Sequence, residues 1–105
     1  MFARNVSIHL KSHKLSDYTR TLENDVLPLL RRQTGFKDEI TLSNPDTLDV
    51  MAISLWESKA NAEAYNANIY PEVLRAFSRI IDGTPKIQVF ETVTSTFHSL
   101  AVVAA

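Results

Sequence analysis

Alternation of apolar and polar residues with a period of two, the pattern of a strand with one buried face, recurs along the chain. It begins at Phe2–Leu10 and appears again, in a shorter form, at residues 40–43. The two remaining strands are predicted at residues 51–56 and 87–93. An Asn-Pro-Asp turn sequence at residues 44–46 separates the second strand from the third and predicts a hairpin between them.

Apolar residues at helical spacing occupy the intervals after the first and third strands. In the first interval, a stripe with a spacing of four predicts a helix: Tyr18, Leu22, Val26 and Leu30. Pro28 lies inside this stripe and predicts either a kink or the start of a last helical piece. In the second interval, Ser58 can cap one helix and Pro71 suits the first turn of another. Gly83 is predicted to end that helix as a left-handed C-cap.

The resulting order of strand, helix, strand, strand, helices and strand is the split βαβ arrangement of the ferredoxin-like fold. Two right-handed crossovers then place the helices on one face of a four-stranded antiparallel sheet. A length of 105 residues is typical of one domain. We therefore predict a single α+β domain over residues 1–105.

The face of the sheet opposite the helices determines what we expect for assembly. In the third strand, Met51, Ile53 and Leu55 are interpreted as facing the helices, which leaves Trp56 on the open face. That face would be small, aromatic and almost uncharged, whereas a sheet in contact with water usually carries Lys and Glu. Full exposure of Trp56 would forgo about 2–3 kcal/mol of burial. We therefore predict a homodimer built through its sheets, as an α+β barrel.

The predicted dimer interface contains four named side chains: Trp56, His9, Phe90 and Phe97. Phe97 belongs to the C-terminal stretch at residues 94–105, which is apolar and carries no acidic, lysine or arginine side chain. A free tail is normally polar. We therefore predict that this stretch packs along the seam between the two subunits and is ordered at least through Leu100.

Composition and charge narrow the possible partners. The net charge is −1, so we expect neither nucleic acid nor an anionic membrane to bind. The absence of Cys excludes disulfides and thiol nucleophiles, and the spacing of His9, His13 and His98 is not that of a metal site. No metal is therefore predicted. The first residues contain no long apolar segment typical of a secretory signal, so the cytoplasm is the expected location.

Several short motifs resemble the antibiotic-biosynthesis-monooxygenase-like family of the dimeric α+β barrel superfamily. They are LWES at residues 55–58, AY at 64–65, LLRRQTGF at 29–36, and IDGTP at 81–85 followed by the strand sequence IQVFETV. The resemblance covers nearly the whole chain in pattern. It implies that two ferredoxin-like subunits pair into a barrel.

The resemblance also implies a chemistry. Cofactor-free members of the family oxidise aromatic polyketides with O₂, using an Asn and a Trp four residues apart on the second helix. Here those positions hold Asn61 and Tyr65, which become the candidate catalytic pair, with Tyr in place of Trp. A spacing of four places both residues on one helix face. No metal or flavin motif is visible, so the substrate itself would activate O₂ as a carbanion or phenolate.

The ligand, a small hydrophobic or aromatic molecule, is expected in a pocket between the sheet and the helices. Tyr70 and Phe77 are predicted to line this pocket, and Arg75 is a candidate for holding an acidic group of the ligand. Haem-degrading relatives need a His ligand near the position of Arg75, and an arginine cannot ligate iron at neutral pH. Haem degradation is therefore disfavoured.

The competing interpretation is a non-enzymatic dimeric barrel that binds a small molecule or serves a stress response, because one fold supports unrelated activities. The two hypotheses predict different pockets. A deep pocket that holds Asn61 and Tyr65 together favours the enzyme. A pocket filled by Phe77 and Leu22 favours the binding protein.

Overall fold

The helices and strands follow one another in the predicted order. The computed structural model describes residues 1–98. Its elements are β1 Phe2–Leu10, α1 Leu15–Thr21, a π-helical segment Leu22–Val26, α2 Leu27–Arg31, β2 Phe36–Asn44, β3 Asp49–Trp56, α3 Lys59–Asn68, α4 Tyr70–Phe77 and β4 Ile81–Glu91. In this part of the chain no helix has the length and apolar character needed to cross a membrane.

The strands form one antiparallel sheet in the order β2-β3-β1-β4, with helices over one of its faces. The predicted ferredoxin-like α+β fold is therefore confirmed. The sheet of one chain is open and does not close on itself, since β2 and β4 are its two edges. The core lies between sheet and helices, where Val6, Ile8 and Leu10 of β1 pack with the predicted helical stripe.

The third strand faces the opposite way from our prediction. Ala52 lies directly opposite Val6 of β1, and residues opposite one another share a face of the sheet. The even-numbered residues of β3 therefore face the helices, and Trp56 is 0% exposed. Alternation shows which residues share a face, but not which face meets the helices. The indole N–H is satisfied in the core because Trp56 Nε1 donates to Ser54 Oγ at 2.8 Å.

The assignment of Trp56 to a dimer interface is therefore wrong, because the ring has no surface left to bury against a second chain.

We call the face of the sheet away from the helices the outer face. It is more apolar than predicted, with four large side chains between 41% and 53% exposed: Ile40, Leu42, Met51 and Phe90. His9 also lies on the outer face, where its Nδ1 is 2.9 Å from the Asp49 carboxylate.

The proline and glycine predictions have different outcomes. Pro28 lies in the first turn of α2 and begins the last helical piece, which is one of its two predicted roles. Gly83 has the expected left-handed φ of +80°, but it lies inside β4 and not at a helix C-cap. The reason is that α4 ends earlier, at Phe77, where Ile80 N donates back to Phe77 O in a tight turn. β4 consequently begins at Ile81, well before residue 87.

After β4 the chain returns toward β2, the opposite edge strand. The His98 ring hydrogen-bonds the carboxylate of Asp38 in β2. Ser95 Oγ accepts from the backbone N–H groups of Phe97 and His98. Phe97 is 84% exposed within the chain, so it has surface available for an interface. The prediction that the tail is ordered through Leu100 extends past residue 98, and residues 99–105 lie outside the described residues.

Candidate ligand-binding site

A cavity of about 50 Å³ lies between the sheet and the helices, at the position predicted for the pocket. Charged and phenolic groups converge on it from five elements: Arg4 of β1, Glu39 of β2, Tyr18 of α1, Tyr65 of α3 and Tyr70 of α4. Most of the remaining lining is apolar, and the π-helical segment contributes to it. An apolar cavity with a few convergent polar groups is the usual form of a ligand-binding site.

Arg4 is the most unusual group in this cavity. It is 3% exposed, and within residues 1–98 no carboxylate forms an ion pair with it. Its guanidinium carbon lies 4.0 Å from the ring centre of Tyr70 and 5.2 Å from that of Tyr65. Nη2 donates to Asn66 Oδ1 at 2.8 Å, whereas Nε has no hydrogen-bond partner among residues 1–98. Buried cations usually have an anionic partner, so this arrangement favours an anionic ligand.

Strand pairing sets a cation and a carboxyl group on opposite sides of the cavity. Ser54 of β3 lies between Arg4 of β1 and Glu39 of β2, and it pairs directly with both. The backbones of Arg4 and Glu39 are therefore two strand spacings, about 10 Å, apart. Burial raises the pKa of the Glu39 carboxyl, and a hydrogen bond from Thr41 opposes this effect. Burial lowers the pKa of Arg4, but an arginine stays charged at neutral pH. The raised pKa makes Glu39 a candidate for proton transfer.

Three tyrosine hydroxyls also belong to the polar lining. Tyr65 stacks on Trp56 with ring centres 4.9 Å apart, and Tyr18 stacks on Phe77 at 4.6 Å. Burial raises the pKa of Tyr65 to about 12 and also raises the pKa values of Tyr18 and Tyr70. All three hydroxyls are therefore protonated at neutral pH and can donate hydrogen bonds to an anionic oxygen.

The cavity contains three of the predicted site residues: Tyr65, Tyr70 and Phe77. Asn61 is not among its lining residues, because the side chain belongs to the first turn of α3. Asn61 Oδ1 accepts from Ser58 Oγ at 2.8 Å, and its backbone N–H donates to the same hydroxyl at 3.2 Å. The Asn61 side chain also packs on Gly35 and leaves no room for a Cβ there. Asn61 and Tyr65 are therefore not brought together at one cavity.

Arg75 lies on the exposed side of α4, away from the cavity. The buried stripe of α4 is formed by Tyr70, Val73 and Phe77, and Arg75 falls outside it. It borders a separate surface groove together with Arg79. The expectation that Arg75 shares a site with Tyr70 and Phe77 is therefore wrong.

Sequence reasoning missed Arg4, Glu39 and Tyr18 as site residues. Arg4 gives a signal, because it interrupts the apolar face of β1, and a charged residue on a buried face often has a function. Glu39 precedes the stretch at 40–43 from which β2 was predicted, so its position on the helix side was not visible. Tyr18 has the same helical spacing as the core residues that follow it, so the sequence does not distinguish it from them as a site residue.

A larger and more open cleft, of about 660 Å³, lies on the outer face near the start of β4. His9 is flanked there by Asp49 and Asp82, its partners on the two neighbouring strands. Within residues 1–98 no three His, Cys, Asp or Glu side chains are grouped so as to hold a metal ion. We place the candidate site in the smaller cavity, because the buried charge of Arg4 is the group that a ligand would stabilise most.

This protein is similar to known proteins in its three-dimensional structure. No family model matches the sequence, and no curated protein matches it. The ActVA-Orf6 monooxygenase of Streptomyces coelicolor, solved with the ligand nanaomycin D, has a TM-score of 0.77 at 18% identity, covering 93% of this chain and 92% of that one. A protein of unknown function from Nitrosomonas europaea has a TM-score of 0.76 at 16% identity, and the match covers 93% of this chain and 94% of that one. A candidate antibiotic biosynthesis monooxygenase from Bordetella bronchiseptica has a TM-score of 0.75 at 14% identity, and the match covers 89% of this chain and 97% of that one.

Similarity at these identities establishes the fold and leaves the activity open. Two more of the similar structures, from Nitrosomonas europaea and Deinococcus radiodurans, are also candidate antibiotic biosynthesis monooxygenases. The resemblance predicted from the sequence is thereby confirmed for the fold. This chain has the fold of the antibiotic biosynthesis monooxygenases.

Proposed function

We propose that this chain binds a small hydroxylated aromatic molecule in the cavity between sheet and helices and oxidises it with O₂ without a cofactor. The observation that carries the proposal is the buried Arg4 guanidinium, which has two aromatic rings beside it and, within residues 1–98, no carboxylate partner. A phenolate oxygen would provide a counter-charge, and its ring would pack among the tyrosines. The ligand bound to the similar Streptomyces monooxygenase supports a binding role for this fold.

In the proposed reaction the substrate is the reductant. Deprotonation of a phenol gives an electron-rich phenolate, whose oxygen Arg4 stabilises. Addition of O₂ at an unsubstituted ring carbon forms a C–O bond and, after protonation, a hydroperoxide. Loss of the C–H proton and cleavage of the O–O bond then yield a quinone and one water molecule. We assign the first proton acceptor to Glu39 and the proton donor for the departing hydroxide to Tyr65.

Tyr65→Phe tests the assignment of the proton donor. We expect turnover to fall about 100-fold or more, the effect of removing a general acid. The fold should persist because only a hydroxyl is lost. Oxygen consumption with hydroxylated naphthalenes and anthrones measures turnover, and thermal unfolding checks the fold. Equal rates in the wild-type protein and the variant would remove the Tyr65 hydroxyl from the reaction.

A binding protein without enzymatic activity is the second candidate function. Two observations favour it: Asn61 lies outside the cavity, and Phe77 and Leu22 help to reduce the cavity to about 50 Å³. Saturable binding of the same aromatic compounds without O₂ consumption would support this alternative and contradict the monooxygenase.

We further propose that the outer face pairs with a second copy of the chain. Its exposed apolar side chains support this pairing, since such a surface is usually an interaction site: Ile40, Leu42, Met51 and Phe90. His9 and Phe97 remain assigned to the interface together with the stretch at 94–105. Trp56 is no longer part of it.

Met51→Lys tests the dimer, because it introduces an ammonium group with no counter-charge into the proposed apolar interface. We expect the dimer dissociation constant to rise about 100-fold or more, since an unpaired buried charge costs several kcal/mol. Leu15→Lys makes the same change at a residue that is 39% exposed at the start of α1, and it should have no effect. Sedimentation equilibrium measures both variants. A wild-type chain that is monomeric at micromolar concentration would contradict the proposal.

A further inference from the structure

We propose that Arg4 is a movable partition between the buried cavity and a surface groove, and that the ligand reaches the tyrosines by passing between α3 and β4. The inference rests on the proposed function. It adds the route and the size class of the ligand, a planar aromatic molecule of two or three fused rings.

The groove lies on the helix side of the sheet and has a volume of about 240 Å³. Its β4 wall is formed by Ile87 and Val89, which are 42% and 48% exposed although they lie on the face that the helices cover elsewhere. Its α3 wall includes Ala62 and Asn66. An exposed apolar strand beside a helix is suited to the flat face of an aromatic ligand.

Among residues 1–98, Arg4 is the residue that lines both the groove and the cavity. Toward α3, its Nη2 donates to Asn66 Oδ1 at 2.8 Å. Toward the cavity, its guanidinium lies over the rings of Tyr65 and Tyr70. Within residues 1–98, the hydrogen bond to Asn66 and the contacts with Tyr65 and Tyr70 hold the guanidinium, and none of these contacts is an ion pair. A long side chain held in this way can change rotamer at modest cost.

The volumes give the reason for a movable partition. Pockets for drug-sized ligands begin at roughly 300 Å³, so the cavity of about 50 Å³ cannot accept such a ligand alone. The cavity and the groove together approach that size once Arg4 moves aside. The ligand oxygen would then meet the guanidinium at the junction, and the outer ring would lie on Ile87 and Val89. Lys59 at the groove is opposed by Glu63 at 3.8 Å, so Arg4 provides the net positive charge of the groove lining.

Stopped-flow fluorescence tests the route, because Trp56 is the only tryptophan and stacks on Tyr65. The probe is 1,8-dihydroxyanthraquinone. We expect Asn66→Ala to raise the rate of Trp56 quenching about fivefold, the fold-change equivalent to one net hydrogen bond of about 1 kcal/mol. Asn68→Ala, the same substitution at an exposed position farther along α3, is the matched control and should leave the rate unchanged.

A second variant, Val89→Phe, narrows the groove itself. We expect it to weaken binding of the three-ring probe about tenfold through overpacking, and to leave binding of the single-ring probe catechol unchanged. Val93→Phe is the matched control, because Val93 is 86% exposed and lies outside the groove.

The outcomes separate this inference from the proposed function. If the probes bind the wild-type protein but both variants behave like their controls, the route is wrong and the proposed function stands. If neither probe quenches Trp56 in the wild-type protein, the proposed function fails. Acrylamide quenching of Trp56 then decides the role of Arg4: stronger quenching in Asn66→Ala than in Asn68→Ala supports a movable partition, and equal quenching overturns it.

Discussion

Trp56→Ala is expected to destabilise the folded chain by about 3–5 kcal/mol, the cost of removing a large buried aromatic side chain. The ring is 0% exposed, stacks on Tyr65 at 4.9 Å and meets the Phe36 ring edge-on at 5.5 Å. Its loss would leave a void between β3 and α3. Guanidinium unfolding followed by circular dichroism measures the change, because the variant has no tryptophan left to report by fluorescence.

Trp56→Phe is the matched control for this prediction. It keeps a ring against Tyr65 but leaves the Ser54 hydroxyl without the indole donor, so we expect a smaller loss of about 1–2 kcal/mol. A loss of no more than about 0.5 kcal/mol for Trp56→Ala, the usual range at an exposed position, would place the ring on the surface and contradict the register of β3.

Arg4→Met is expected to separate binding from stability. Replacement of a buried charge by an apolar side chain of similar length is often neutral or stabilising, so the free energy of unfolding should stay within about 1 kcal/mol of wild type or rise. The affinity for hydroxylated anthraquinones should fall about 10- to 150-fold, which corresponds to the loss of a charged hydrogen bond of about 1.5–3 kcal/mol. Urea unfolding and calorimetric titration measure the two quantities.

Arg79→Met is the control, because Arg79 is an exposed arginine of the same chain and does not line the cavity. It should change neither quantity. A loss of several kcal/mol of stability in Arg4→Met, with unchanged ligand affinity, would make Arg4 a structural residue and contradict its proposed role.

The fold could be predicted from the sequence because its elements differ in hydrophobic period. The stripe from Tyr18 to Leu30 and the alternation in β1 both predict their buried faces correctly. The orientation of β3 could not be predicted in this way. Both of its faces carry large apolar residues, and the choice depends on pairing with β1 and on the Trp56–Ser54 hydrogen bond. The alternation of residues along β3 does not show which of its two faces meets the helices.

The candidate site was predictable in part. The family resemblance led to Tyr65, and helical spacing led to Phe77, because both depend on positions within one helix. Arg4 and Glu39 come together through the pairing of three strands, which a single stretch of sequence does not show. Asn61 has the expected position on α3, but capping by Ser58 directs its side chain to the helix start.

The most direct test of ligand binding by Arg4 is a crystal structure of the protein with 1,8-dihydroxyanthraquinone bound. We expect one ligand oxygen within about 3 Å of an Arg4 guanidinium nitrogen, the length of a charged hydrogen bond. The rings should lie between the tyrosines of the cavity and Val89 of the groove. A ligand bound instead in the open cleft of about 660 Å³ on the outer face, beside His9, with the Arg4 cavity unchanged, would contradict the account.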